Sequence, residues 1–418
     1  MIAPAFRLAP MLCVGVLLNL GTAFATRADV IIDWNAKAEA IAVDKRMLPP
    51  ANARGMAIMH VAMFEAVNAI ERRYSTYRLS LTADRNASKD AAAAAAAYAV
   101  LVALHPEQEK SLTAHLVAAL QQIPEAETKA SAIALGTKAA TEILAWRAND
   151  GANAVEGYRP HTTAGLYVPT VIPVSSTYGR VVPWAMSSGS QFRPLPPPSL
   201  TSAKWARDVN EVREFGVRAN SKRSAEQTDV ARFWFVTGPQ AWNPIVRQLA
   251  AMRKLDVVDS ARLFALVAIA TDDAFIAVFD AKYHYNFWRP ITAIRNADLG
   301  NNPGTPRDGA WLPLGDTPMH PEYPCAHCIT TMAAAAVLQT AFGNDIPEVS
   351  MTSPTAPGVT RRWTRLQDYA DEVAIARIYA GFHYRFSNGA AQDMGRDIAK
   401  LVIRTKLQRL SASVTPKR

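Results

Sequence analysis

Cysteine is scarce, with three in 418 residues, and one of these, Cys13, falls in an N-terminal stretch that reads as a leader. A disulfide framework is therefore excluded as the source of stability, and a chain of this length needs none. Long apolar runs are also missing. Past the leader the most apolar stretch, residues 91–104, is short and dominated by alanine, which speaks against a multi-span membrane protein. The 45 Lys and Arg against 36 Asp and Glu give a net charge of +9, yet no basic block or nucleic-acid reader motif gathers it. The expected partners are therefore not nucleic acids, and the basic surface mildly favours anionic substrates. Sustained period-two alternation and internal repeats are absent too, so strands should be few. Half of the residues are apolar and 19% are charged, which excludes wholesale disorder.

What is present begins with residues 1–28. Arg7 supplies a positive start, residues 11–25 a short apolar core, and Ala23-Phe24-Ala25 or Thr26-Arg27-Ala28 a small-residue cleavage site, the pattern of a secretory signal. The mature protein is expected to be periplasmic or secreted, with no integral span after signal removal. Cys325 and Cys328 then remain, spaced C-x-x-C. That spacing admits a local disulfide or a dithiol redox site. An Ala-rich helix follows rather than a βαβ unit, and Ile329 rather than His follows Cys328, which excludes a c-type haem attachment.

The mature chain reads as all-α. Helices are expected over 33–46, from Asn52 as cap through the Met56, Met59, His60, Met63, Phe64 stripe, over 90–104, and in two further stretches ending near Asp150. The Met and Phe stripe reads as core, and His60 with Glu65 does not make a metal pair. Residues 151–199 turn to Gly, Pro, Ser and Thr, a loop long enough to be functional or a linker. Helices resume over 202–217, 224–236, 241–255 and 259–285, then 324–342, 361–379 and 388–407. The expected organisation is signal peptide 1–28, an N-terminal helical bundle with its Pro-rich crossover loop 29–199, a C-terminal catalytic bundle 200–410, and a tail 411–418.

Three stretches in the second bundle carry chemistry. Residues 282–290 (KYHYNFWRP) deliver Lys282 and Arg289. Pro290 biases Arg289 away from helical backbone, so it should sit past the helix end and turn inward. Residues 324–327 (PCAH) place a proline at a helix start, leaving the amides of Cys325, Ala326 and His327 free, which is an anion site. Residues 377–383 (RIYAGFH) set Arg377 and His383 about 120° apart on a continuous helix, so Gly381 must break it for both to face one centre. Ser387 or Asn388 can then cap the last helix. Three permanent cations and two imidazoles suit a buried tetrahedral oxyanion, which leaves water only if charges and hydrogen bonds replace its hydration. Asp273 and Asp280, on the helix leading to Lys282, are candidates to support it.

In this order, K-x6-RP, P-C-A-H and R-x5-H resemble the three-part pattern K-x6-RP, P-S-G-H, S-R-x5-H of the vanadium-dependent haloperoxidases and PAP2-type acid phosphatases. The FWRP context, the HPEYP lead-in and the HVAMFEAVN helix at 60–68 extend the resemblance towards the haloperoxidase-like branch. The resemblance implies two helical bundles and an oxyanion, vanadate or phosphate, held by Lys282, Arg289, Arg377 and the 325–327 turn. His383 would be the apical ligand to vanadium or the nucleophile on phosphorus, and His327 the acid and base. A peroxidase would use vanadate, hydrogen peroxide and halide. A phosphatase would need no metal and would hydrolyse a phosphate ester through a phosphohistidine. His320 lies where bromoperoxidases of the family have a second pocket histidine, which favours bromide or iodide. Cys325 and Ala326 replace the Ser and Gly of the pattern, Ala376 precedes Arg377 in place of Ser, and Ser387 stands where haloperoxidases often place an Asp. A non-catalytic exported helical protein with a diverged site is the alternative of another class. The family's members often self-associate, and Ala-rich helix faces permit it.

Overall fold

A computed structural model describes residues 29–124 and 128–411; the expected signal, residues 1–28, and residues 412–418 of the expected tail lie outside this range. The N-terminal half holds α1 (Val30–Asp44), α2 (Pro49–Ile70), α3 (Lys89–Leu104), α4 (Glu109–Gln121) and α5 (Lys129–Arg147). Then come α6 (Ala203–Phe215), α7 (Ala225–Phe233), α8 (Asn243–Met252), α9 (Val257–Tyr285), α10 (Pro290–Arg295) and α11 (Ala326–Phe342). Strands β1 (Asp345–Ser353) and β2 (Ala356–Arg365) precede α12 (Leu366–Tyr379) and α13 (Arg385–Thr405). Helix α2 starts on Pro49 and Pro50 rather than on Asn52, because proline loses nothing at a first turn whose amides have no intrahelical acceptor. In α3 the alanine run lets α5 come close: a Cβ on Gly136 would sit 2.2 Å from the Ala92 carbonyl oxygen.

The 29-residue α9, capped by the Asp256 carboxylate, packs on α2, α11 and α13. One continuous apolar core therefore runs through both bundles. A second, aromatic cluster of Trp205, Phe287, Trp288, Tyr384 and Phe386 lies where α6 meets the connections on either side of the site. No helix among the described residues is long and apolar enough to cross a membrane.

Two expectations are corrected. The stretch read as a proline-marked loop followed by a helix from Arg361 is an antiparallel hairpin, and α12 begins only at Leu366. Val349 and its partner Trp363 are buried there, Trp363 beside Trp234 with ring centroids 5.8 Å apart. Packing thus outweighs prolines that an isolated two-stranded ribbon tolerates. Asp273 and Asp280 do not reach Lys282. Asp273 accepts the amides of Trp184 (2.7 Å), Ala185 (2.8 Å) and Met186 (3.1 Å), while Asp280 takes the Arg193 fork at 2.8 and 2.9 Å. Both tie the 148–199 crossover onto α9.

Candidate oxyanion site

Helix α9 ends because Asn286 takes a left-handed conformation (φ 49°), which Asn tolerates better than most residues. Lys282 is thereby left in the last turn, fully buried, with Nζ donating to the carbonyls of Pro321 (2.9 Å) and Glu322 (2.8 Å). An ammonium has three protons, so one remains to give. Arg289 precedes Pro290 as the N-cap of α10, in extended backbone at φ −79°, ψ 155°, as the residue before a proline prefers. Its guanidinium is buried and donates to the carbonyls of His320 and Phe382, both 2.9 Å away. It also reaches His320 Nδ1 (2.9 Å) and His383 Nε2 (3.2 Å).

Gly381 breaks the chain after α12 with φ +80°. A Cβ there would also meet the Gly216 carbonyl oxygen at 2.6 Å, so glycine is required twice over. Past this break the amides of Phe382 and His383 both return to the Arg377 carbonyl, which brings His383 and Arg377 to one centre. His383 Nδ1 donates to Glu322 Oε1 at 2.7 Å, and the same oxygen accepts the Tyr384 amide at 3.2 Å. This fixes the tautomer: Nδ1 carries the proton and Nε2 keeps its lone pair. Sequence reasoning missed Glu322, although it sits inside the HPEYP lead-in. Burial raises its pKa to about 7 against the opposing pull of Lys282 and Arg289. Ser387 and Asn388 do not cap α13. The helix starts at Arg385, the Asp208 carboxylate accepts the Phe386 amide at 2.9 Å, and the Asn388 side chain donates to the Ala374 carbonyl at 2.6 Å.

At the third stretch, Cys325 is the N-cap of α11 and Pro324 lies one residue outside, after a cis Tyr323–Pro324 peptide. Cys325 and Cys328 form a disulfide, and the Cys325 sulfur accepts the Cys328 amide at 3.2 Å. The expectation that a Cys325 thiol donates to an anion is therefore corrected, because the paired sulfur carries no hydrogen. The amides of Ala326 and His327, in the first turn, keep the anion-facing part. His327 donates Nε2–H to the Val236 carbonyl (3.1 Å), leaving Nδ1 free.

His320, Ala326, His327, Arg377 and His383 line one cavity of about 1120 Å³, whereas Lys282 and Arg289 lie behind its wall and Cys325 does not reach it. Arg377 spends one nitrogen on the Trp234 carbonyl (2.5 Å), stacks on Phe382 at 4.9 Å, and leaves its buried Nε without a partner. Burial, compounded by Arg289, lowers Arg377 to about 9. Burial lowers Arg289 to about 10 and Lys282 well below its ordinary value. The imidazoles of His320, His327 and His383 are likewise driven down by burial and by neighbouring cations. Three buried cations thus face one carboxylate, with an unpartnered guanidine N–H and one aligned imidazole lone pair. Such a site is complete only with an anion, and the residues present fit an oxyanion bound through His383.

Comparison with known proteins bears on which oxyanion. Residues 262–412 match the family described as the VCPO second helical-bundle domain, the segment that contains all three stretches. The chain belongs to the vanadium haloperoxidase superfamily. It is 28% identical over 239 residues to the vanadium chloroperoxidase of Curvularia inaequalis, and this alignment spans 42% of the present chain and 38% of that relative's length. The crystal structure of the first bacterial vanadium-dependent iodoperoxidase superposes with a TM-score of 0.78 at 25% identity, covering 92% of this chain and 97% of that one. A holo-type bacterial vanadium-dependent chloroperoxidase gives 0.69 at 19% identity, covering 85% and 92%, and so shares the fold. The haloperoxidase resemblance and the all-α, two-bundle architecture expected from the sequence are both borne out.

Proposed function

We propose that this protein is an exported, vanadate-dependent haloperoxidase that oxidises bromide or iodide with hydrogen peroxide. The observation that carries the reading is the excess of buried cation around one carboxylate-aligned imidazole. Bound vanadate would supply a Lewis-acidic V(V) centre that activates peroxide without changing its own oxidation state. Lys282, Arg289 and Arg377 neutralise the oxyanion, and the first-turn amides of α11 add donors that never titrate. His383 presents Nε2 as the ligand atom because Glu322 holds the proton on Nδ1. His327 exchanges a proton at its free Nδ1. The balanced reaction is halide, peroxide and one proton giving hypohalous acid and water. The likeness to an iodoperoxidase and the imidazole of His320 on the cavity wall favour the heavier halides. A disulfide between Cys325 and Cys328 accords with export to an oxidising compartment.

The test uses phosphate-free protein with peroxide and bromide or iodide, before and after adding orthovanadate, alongside hydrolysis of a chromogenic phosphomonoester. The expected result is halide oxidation that appears with vanadate and is lost in His383→Ala. Ester hydrolysis inhibited by vanadate, with no halide oxidation, would make the site a phosphatase. Inactivity in both assays would leave a non-catalytic anion-binding protein.

A further inference from the structure

Halide and peroxide are each about the size of one or two waters, roughly 30 Å³ apiece, but the cavity over the site measures about 1120 Å³. Pockets that bury a drug-sized organic molecule occupy about 300–1,000 Å³. Trp242, Phe275, Phe279, Phe235, Leu314 and Phe382 contribute to its wall. Its only lining groups that can carry charge are the buried set at the base (His320, His327, Arg377, His383) and Arg218 and Asp316 at the exposed rim. Around the mouth stand Leu48, Val171, Leu312 and Met319, 44%, 51%, 38% and 38% exposed. Apolar side chains left in water around the entrance to an apolar chamber mark a ligand site rather than a channel for small hydrophilic reactants. The crossover loop contributes Val171 and Val174, and the Val174 amide bonds the Met319 carbonyl at 2.9 Å, so this wall is anchored.

We infer that the cavity binds a neutral, largely apolar organic molecule with an electron-rich ring or alkene, and that this molecule is the acceptor of the oxidised halogen. The inference rests on the haloperoxidase reading for its chemistry, but not for the binding. Walls without charge exclude an ionic acceptor, and the polar base directs the reactive carbon towards the site where hypohalous acid forms. A C–H carbon gives its electron pair to the halogen of that acid, and a C–halogen bond forms as the O–halogen bond breaks. The departing hydroxide takes the proton from carbon, so R–H and HOX become R–X and water.

Binding is measured first, on the full chain without vanadate, by titrating with 2-naphthol, which is neutral at pH 7, and following tryptophan fluorescence, since Trp242 is in the wall. Leu314→Glu and Met319→Glu place a charge on the wall and at the mouth, with thermal melts to establish that both fold. Saturable binding to the native chain and at least tenfold weaker binding to both variants is the expected result. No binding, or equal binding in all three, overturns the inference. Bromination of anisole with vanadate, bromide and peroxide is then compared with bromination by added hypobromous acid. A different ortho-to-para ratio from the native enzyme, reverting in Leu314→Glu while iodide oxidation without organic acceptor is unchanged, supports a bound acceptor. The same ratio in both reactions overturns the acceptor role. Absence of halide oxidation altogether would sink the haloperoxidase reading instead, and the naphthol titration would still decide the cavity.

Discussion

Around Asp272 and Asp273, midway along α9, each buried carboxylate has a fixed partner; around Lys282, at the end of the same helix, cations outnumber carboxylates. Asp272 accepts from Tyr178 (2.6 Å) and from the Trp184 indole (2.7 Å), and Asp273 from three backbone amides. Nearby, Arg54 and Arg147 reach Asp150 at 2.7 and 2.8 Å. Burial raises both α9 carboxylates, Asp273 to about 6, but hydrogen bonds oppose it at each, as do Arg147 and Arg54 at Asp272. At Arg377 and His383, burial and the neighbouring cations all push the same way. A structural polar centre is satisfied by the protein alone. One built for a ligand is left with charge for the ligand to complete.

Substitutions should therefore act with opposite signs at the two centres. The largest effect is expected from Asp273→Asn, which turns an amide group towards backbone donors and frees the crossover from α9. A loss of about 2–4 kcal/mol should appear as a lower midpoint in urea unfolding at neutral pH. Next, orthovanadate at a hundred times its dissociation constant should stabilise the protein by about 2.7 kcal/mol, read as a rise in melting temperature. Arg377→Met should make the ligand-free protein more stable by about 1–3 kcal/mol, since an under-compensated buried charge is replaced by apolar volume. It should also abolish the vanadate-induced rise. A destabilised Arg377→Met that still responds to vanadate would erase the contrast between the centres.

Much of the site was legible because its parts are local in sequence. Pro290 told against helix at Arg289, Gly381 had to break the chain before His383, and a proline beside the PCAH turn pointed to exposed amides. Each of these is a backbone constraint readable from two or three residues. The helical class followed from periodicity and alanine content. Illegible features were those decided by distant partners. Glu322 in HPEYP looks like any loop acid until His383, 61 positions later, meets it at 2.7 Å. Asp273 and Asp280 looked like support for Lys282 because they share its helix, but the crossover loop had already claimed them. The hairpin was hidden because Trp363 pairs with Val349 and packs on Trp234, neither of which lies in its own stretch.

The pH dependence of stability sharpens the comparison at its one shared residue type, the buried carboxylate. Glu322 has a folded pKa of about 7 against an ordinary 4.5. Between these values the folded state binds more protons than the unfolded state, so Glu322's contribution is fully present below about 4.5 and is lost as pH rises through 7, an effect of about 3 kcal/mol at most. The site histidines, whose pKa values are lowered, act oppositely: their contribution is present above the ordinary imidazole value and lost as pH falls. Glu322→Gln should remove the decline between 4.5 and 7 and leave the histidine limb, so its unfolding free energy should rise with pH where that of the native chain is held flat or falls. The same variant should weaken vanadate binding, because a neutral amide no longer fixes the proton on His383 Nδ1.

The smallest effect is expected at the disulfide. Cys325→Ser with Cys328→Ser releases only a four-residue loop, for which the chain-entropy account gives about 1–2 kcal/mol. A serine at 325 can still accept the Cys328-position amide as an N-cap, which offsets part of that loss. It also restores a hydroxyl beside the amides of Ala326 and His327, where the paired sulfur had no hydrogen to give. Vanadate affinity of the double variant, measured by the shift in melting temperature against ligand concentration, should therefore be equal to or greater than that of the native chain, even as the ligand-free protein melts slightly earlier. Weaker binding would mean that the disulfide holds the first turn of α11 in the conformation that meets the anion, and that this turn, unlike the cations behind it, depends on a covalent tie for its shape.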